Sequence, residues 1–318
     1  MGEAFTKVLL YFLPTFTYWR PREHGYHFVI NPGPLGRYLL DLVGRMRSNH
    51  FSKFDPAGLP TIQSRRGHCH NYTTICAWAL ANWEAYLLTG STENRDQLLH
   101  AAEYILLSGD SSDPAVLRLR EEIPGRGHVG DVSSMVQGEA ISVLCRAWQA
   151  TNDDRFLDGA IALNSLFDIP VADGGVLGYF SGTNIAWYEE WITLPLRHAL
   201  AGMVYSLWGI RDLVILLKDK RAQQLLDVGT RSVAFAIGLF DSGFWSYYSI
   251  GESAAPYLAS MQYHNLHICQ LRELAKQTRL EIFSTFASRF ERYAKNPISR
   301  LRAAALISKQ KVSLRFSR

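Results

Sequence analysis

Cysteine is scarce in this chain: Cys69, Cys76, Cys145 and Cys269 among 318 residues, with no Cys-x-x-Cys pair. That spacing argues against a disulfide framework and against a thiolate zinc site. Three of the four lie in apolar helical stretches, where a free thiol behaves as a small hydrophobe, so a reducing compartment is expected. A Walker loop and a Gly-x-Ser-x-Gly elbow are also missing, which argues against nucleotide-triphosphate and serine-hydrolase chemistry. No nucleic-acid-binding motif is present, and no nucleic-acid partner is expected. Long apolar runs are wanting too. The N-terminal run from Val8 to Leu13 ends at Pro14 and is too short for a signal peptide. No segment is expected to reach the roughly 18 apolar residues of a membrane span. A cytoplasmic protein is the resulting expectation.

Acidic residues disappear from the C-terminal end. From Lys295 onward the chain carries Arg300, Arg302, Lys309, Lys311, Arg315 and Arg318 without a carboxylate side chain. A solvated or frayed basic tail over 295–318 is expected, with contact to a polyanion or anionic surface as its rival. The net charge of +4 otherwise says little.

What the chain has in quantity is hydrophobic residues, 47% of the total, arranged with helical period. Tyr72 to Thr89, Met135 to Thr151, His198 to Leu217 and Tyr263 to Lys276 each read as an amphipathic helix. Their starts lie 63, 63 and 65 residues apart. Each ends in a short break (Thr89-Gly90, Asn152-Asp153, Lys218-Asp219, Gln277-Thr278) before a second helical pattern. These second helices fall around Gln97 to Leu107, Phe156 to Phe167, Ala222 to Ile237 and Leu280 to Tyr293. Helix pairs repeated at fixed spacing predict a repeat architecture. The connections 109–134, 168–197 and 238–262 are too long for solenoid turns and favour an α/α toroid whose loops gather at one mouth. The predicted fold is therefore mainly all-α: an incomplete α/α toroid of about four helix pairs. Residues 1–60 form an irregular segment packing on the toroid of 61–294. Within that segment Tyr26 to Ile30 reads as a short strand and Leu35 to Met46 as a helix.

Three clusters in or beside the connections carry the candidate chemistry: Gly182-Thr-Asn-Ile-Ala-Trp-Tyr-Glu-Glu-Trp191, Phe240-Asp-Ser-Gly-Phe-Trp-Ser-Tyr-Tyr248 and Tyr263-His-Asn-Leu-His267. Carboxylates and phenols without an evident metal set point to proton transfer. Glu189 and Glu190 are adjacent and must diverge, so they do not form the facing pair a glycosidase requires. Trp187, Tyr188 and Trp191 surround them with aromatic surface suited to a sugar, and able to raise a carboxyl pKa by desolvation. Tyr263 and His264 precede a helix, whose N-terminus favours an anion such as a substrate carboxylate. Gln137 opens the second inner helix and is expected to face the central cavity, with capping of backbone groups as the rival role. Asn184 joins Trp191, Tyr205 and His264 as a candidate substrate contact. His68-Cys69-His70 and the His264/His267 pair lack the further ligands a metal needs; neither a metal nor a cofactor is expected.

From about Met135 to Tyr293 the chain resembles the D-glucuronyl C5-epimerases of heparosan-type glycosaminoglycans. The pieces that carry the resemblance are Gln137-Gly-Glu-Ala-Ile-Ser142, Trp187-Tyr-Glu-Glu190, Tyr205-Ser-Leu-Trp-Gly-Ile-Arg-Asp-Leu213, Asp241-Ser-Gly243 with Tyr248, and Tyr263-His264 with His267. The resemblance implies that Glu190, Tyr248 and Tyr263 stand at acid/base positions, and that Tyr205 and His264 stand at substrate contacts. It also implies a uronate-containing, polyanionic polysaccharide as partner, and leaves room for a homodimer. The chain departs from the family pattern at Trp191, where the family has Tyr, at Gly251, where it has Arg, and at Gln262, where it has an acid. Epimerisation at C5 needs two acid/base groups on opposite faces of the sugar. Glu190 with a tyrosine, or Tyr248 with Tyr263, fills that need equally well on sequence alone. A polysaccharide lyase on the same scaffold and a glycan-binding protein without catalysis remain the alternatives.

Overall fold

The computed structural model describes residues 27–47, 51–64, 67–120, 131–251 and 256–316. Four helix pairs dominate it: α2 (Tyr72–Thr89) with α3 (Thr92–Ser108), α4 (Ser134–Thr151) with α5 (Asp154–Asn164), α6 (Leu200–Leu217) with α7 (Lys220–Ala236), and α8 (Met261–Thr278) with α9 (Glu281–Lys295). Helix α1 (Val43–Arg47) precedes them and α10 (Pro297–Phe316) follows.

The first member of each pair is buried on most sides, whereas the second buries one face. This distribution puts the first helices inside and the second outside. The inner helices pack in chain order, α2 on α4, α4 on α6 and α6 on α8, which builds the predicted toroid.

Each inner helix ends on a left-handed residue: Gly90 (φ 72°), Asn152 (φ 58°), Lys218 (φ 53°) and Arg279 (φ 58°). Such a residue closes the helix and reverses the chain. Asp153 and Asp219 then cap the next helix, accepting from the N–H groups of Arg155 and Ala222. The last break falls at Arg279-Leu280, two residues beyond its predicted place.

Helices α4 and α6 cross closely because glycines meet there. A Cβ on Gly209 would lie 2.2 Å from the carbonyl oxygen of Gly138, and one on Gly138 would lie 2.5 Å from that of Tyr205. A buried ion pair, Arg146 Nη1 to Asp212 Oδ2 at 2.6 Å, ties the same two helices further along.

Three expectations are corrected. The segment from Leu35 to Met46 is helical only from Val43. Gly36 there has a positive φ of 64°, Arg37 pairs with the buried Glu84, and the Leu42 N–H donates to the Glu84 carboxylate. Those tertiary contacts spend the groups a helix would need. Residues 27–30 form no strand; the N–H groups of Val29 and Ile30 both donate to the Leu87 carbonyl at the end of α2. The basic terminus does not fray from Lys295: α10 continues to Phe316, and Ala303 and Ile307 pack against Phe244, Trp245 and Leu258. Residues 1–26, including Tyr26, lie outside the described part.

Helix α6 is also a segment of membrane-spanning length, with mean hydropathy 1.6 over 18 residues, contrary to the sequence expectation. It is 72% buried inside the protein, so its apolar surface is used in the core.

The strands sit in the long connections, where the sequence led us to expect irregular loops. Hairpin β3 (Asp110–Asp113) with β4 (Val116–Arg118) follows α3, and β5 (Leu177–Tyr179) with β6 (Ala186–Tyr188) follows α5. An antiparallel sheet of β7 (Arg197–Ala199), β8 (Tyr247–Gly251) and β9 (Tyr257–Leu258) flanks the starts of α6 and α8. A further hairpin, β1 (Ile62–Ser64) with β2 (Gly67–Cys69), precedes α2.

Candidate active site

Strand β6 delivers Glu189 and Glu190 to the mouth. The Glu189 N–H donates to the Val176 carbonyl, and its own carbonyl accepts from the Ser134 N–H at the start of α4, 3.0 Å away. Ser134 Oγ also donates to the Tyr188 carbonyl. With the backbone fixed at both sides, the adjacent side chains diverge as the sequence predicts. Glu189 turns inward to His198, Oε1 to Nδ1 at 2.7 Å, with both residues buried.

Glu190 turns the other way, to Tyr248, and Gly202 in the first turn of α6 leaves space for it. A Cβ on Gly202 would lie 2.8 Å from Glu190 Cβ and 2.9 Å from Oε2. The start of a helix is also a favourable place for a carboxylate.

Tyr248 arrives on β8 and donates its hydroxyl to Glu190 Oε1 at 2.5 Å. Tyr263 arrives on the first turn of α8, its ring edge-on to Tyr248 with centroids 4.6 Å apart. Trp191 packs on the Tyr248 ring at 5.4 Å. Burial, then the negative charge of Glu190, then Tyr263 push the Tyr248 phenol well above its ordinary value. It is therefore a neutral donor at physiological pH.

Beneath this cluster His264 and His267 are fully buried. His264 Nε2 donates to the Phe290 carbonyl at 2.9 Å, and Nδ1 accepts from the Ser246 N–H at 3.2 Å. Ser246 Oγ bridges the two rings, 2.7 Å from His264 Nδ1 and 2.9 Å from His267 Nδ1. Trp245 stacks on His264 at 3.7 Å. Burial drives both imidazoles down to about 3, with His264 adding to the effect on His267, so both are neutral.

The structure thus brings Glu190, Trp191, Tyr248 and Tyr263 together. His264 is not free to contact a substrate, because both ring nitrogens are engaged inside the protein. Gln137 is buried and does not face an open cavity: its side-chain amide closes on the backbone N–H and carbonyl of Leu119. Tyr205 lies in the core, edge-on to Trp208 at 5.4 Å. Asn184 is exposed at the tip of the β5–β6 hairpin.

Gly202, His198 and Ser246 were not singled out from the sequence. A glycine among apolar helix residues gives no signal that a side chain from another element needs its space. His70 is held between Asp55 Oδ2 at 2.9 Å and the Tyr104 hydroxyl at 3.0 Å. Among the described residues no group of three or more His, Cys, Asp or Glu side chains is arranged to hold a metal. A Gly-x-Gly-x-x-Gly spacing, Gly125 to Gly130, falls within 121–130, outside the described residues.

The family model for the D-glucuronyl C5-epimerase C-terminus matches residues 120–292, a span that takes in every member of the cluster. The chain belongs to this family. A D-glucuronyl C5-epimerase of Caenorhabditis elegans is 35% identical over 225 residues, covering 64% of this chain and 36% of that protein. An uncharacterised protein of Methanocaldococcus jannaschii is 26% identical over 152 residues, covering 47% of this chain and 48% of that one. This member of the C5-epimerase family therefore spans half or less of the length of these relatives. Among solved structures it resembles a cellobiose 2-epimerase from Bacillus thermoamylovorans (TM-score 0.55, 12% identity, 79% of this chain and 68% of that one). It also resembles a D-mannose isomerase (TM-score 0.54, 9% identity, 79% and 68%). At such identities the likeness is one of fold, and it agrees with the α/α toroid.

Proposed function

We propose that this chain inverts C5 of D-glucuronate residues to L-iduronate in a heparosan-like polysaccharide, by removing a proton from one face and returning one to the other. The observation that carries this reading is the Tyr248 hydroxyl donating to Glu190 at 2.5 Å, with Tyr263 edge-on beside it. The C5 hydrogen lies next to the uronate carboxylate. When that C–H bond breaks, its electron pair moves into the carboxylate to give an enolate-like intermediate, and the proton passes to a base. Donors near the carboxylate stabilise this charge.

Glu190, the acceptor of the Tyr248 hydrogen bond, is assigned as the base. Tyr248 is the donor that burial holds in its neutral form. Tyr263 reaches the cluster from a different element and is only half-buried, which suits an acid that protonates the opposite face and recovers its proton from solvent. The Trp191 ring offers a platform for the apolar face of the sugar. Membership of the family and the name of the Caenorhabditis elegans relative support the reaction class.

The test is incubation with heparosan, N-sulfated heparosan and chondroitin in deuterium oxide, followed by proton NMR and ultraviolet absorbance. Loss of the H5 signal without new absorbance is the expected result. New unsaturated-uronate absorbance would instead assign β-elimination, and silence in both channels on all three polymers would overturn the reading. Tyr263→Phe removes one hydroxyl and is expected to slow iduronate formation about 10²–10⁴-fold with an unchanged circular dichroism spectrum. Near-wild-type iduronate formation would remove Tyr263 from the mechanism.

A further inference from the structure

The residues gathered at the candidate site, Glu190, Trp191, Tyr248 and Tyr263, include a carboxylate and two phenols but no cation, and the imidazoles beneath them are neutral. A uronate carboxylate placed beside Glu190 meets a like charge, and breaking its C5–H bond adds further negative charge. Two carboxylates in a partly buried site repel unless a cation stands beside them. The sheet next to the cluster supplies one.

Strand β7 is regular: Arg197, His198 and Ala199 lie opposite Gly251, Ile250 and Ser249 of β8. Successive side chains of a strand leave opposite faces. His198 lies on the face of Phe180, with ring centroids 3.9 Å apart. Ala199 lies on the other, in one packed group with Tyr248, Ala259, Trp191 and Tyr263. Arg197, two residues from Ala199, therefore leaves the sheet on the face of the acid/base cluster, about 6.6 Å further along the strand.

Tyr248 reaches that face through a bulge. Tyr247 and Ser249 pair with the consecutive residues Leu258 and Tyr257 of β9. Tyr248 is thus the extra residue of β8, and a bulge re-aims the side chain it carries.

Gly251 leaves room for the arginine. Arg197 Cγ lies 3.4 Å from the place a Cβ on Gly251 would take, so the stem of Arg197 runs over the glycine. Arg197 is exposed, and its guanidinium makes no hydrogen bond or ion pair among the described residues. Trp191 and Tyr263 are also partly exposed, which makes this the side from which a polymer reaches the cluster.

We propose that Arg197 binds the uronate carboxylate of the substrate, an inference that rests on the C5 chemistry proposed above. The planar guanidinium donates two parallel N–H bonds to the two carboxylate oxygens. It offsets the repulsion from Glu190, and it binds more strongly as the enolate charge grows.

The unaltered chain is compared with Arg197→Gln and, as a control, with Arg231→Gln at an exposed position of the outer helix α7. C5 exchange on heparosan is followed by proton NMR in deuterium oxide. Calorimetry measures binding of a trisaccharide with one central glucuronate and of its glucose analogue. Arg197→Gln is expected to lower kcat/KM for exchange at least about 100-fold, with an unchanged melting temperature. The unaltered chain is expected to bind the glucuronate trisaccharide about 10- to 100-fold tighter than the glucose analogue, the worth of a hydrogen bond to a charged group. Arg197→Gln is expected to bind the two alike, and Arg231→Gln to change nothing. Exchange unaffected by Arg197→Gln, or no glucuronate preference in the unaltered chain, would overturn the proposal. So would an equal loss in Arg231→Gln, which would make the effect one of overall charge. Failure of the epimerase reading looks different: no exchange by the unaltered chain, but a glucuronate preference that Arg197→Gln removes.

Discussion

Glu190 depends on what Gly202 lacks. Any side chain at 202 meets the β- and γ-carbons of Glu190 at 2.8 and 3.2 Å, so the carboxylate must swing away from the Tyr248 hydroxyl. Gly202→Ala is expected to cost about 1–3 kcal/mol of stability through overpacking. On the proposed assignment of Glu190 as base it is also expected to slow C5 exchange at least tenfold, because the carboxylate is misplaced. Hydrogen–deuterium exchange at C5 and thermal denaturation check the two halves separately, and unchanged exchange would show that Glu190 does not need this position. Much of the site was legible at this scale. Glu190, Trp191, Tyr248 and Tyr263 all fall in aromatic-rich clusters beside helix starts, and the structure gathers them. His264, Gln137 and Tyr205 show where sequence falls short. Proximity to a helix mouth does not reveal which way a side chain points, and these three turn into the protein.

At the scale of elements, β8, α8 and α9 meet through neutral imidazoles. Ser246 just before β8, His264 and His267 on α8, and the Phe290 carbonyl on α9 form one hydrogen-bonded chain. Both histidines have folded-state values near 3, below the roughly 6.5 of an unfolded chain. The unfolded state therefore binds more protons between about pH 6.5 and 3, and stability contributed by this junction is present above 6.5 and lost as pH falls through that window. Denaturant melts at pH 7, 6, 5 and 4 are expected to show a steep fall, with a shallower slope in His267→Gln. Equal slopes in the two proteins would refute the assignment. The helices themselves were legible because apolar residues recur with the 3.6-residue period. The strands were not. The short pairs β3–β4, β5–β6 and β7–β8–β9 owe their existence to tertiary packing against helix ends, which no local pattern records.

Over the whole molecule, α10 adds one helix beyond the four repeated pairs and packs it against β9 and the turn before β8. Ala303 and Ile307 cover Phe244, Trp245 and Leu258, Arg302 lies over the Phe244 ring at 4.0 Å, and Gln310 accepts from the Leu258 N–H and donates to the Pro256 carbonyl. Because β8 carries Tyr248, this covering supports the site from behind. Ending the chain before Pro297 is expected to lower the melting temperature by about 5–10 °C, equivalent to a few kcal/mol for a protein of this size. A melting curve unchanged by the truncation would show that α10 is only decorative. The four-fold reversal of the chain has a consequence for how much sequence change the protein tolerates. Two of its turns use long, β-carbon-bearing residues, Lys218 and Arg279, in the left-handed conformation that Gly90 adopts freely. Lys218→Gly and Arg279→Gly are each expected to raise stability by up to about 1 kcal/mol, strain relief outweighing the added freedom of the unfolded chain, as read in denaturant melts. The fold thus holds an unused reserve at its rim, and a variant carrying both glycines would be a sturdier background for destabilising substitutions around Glu190 and Tyr248.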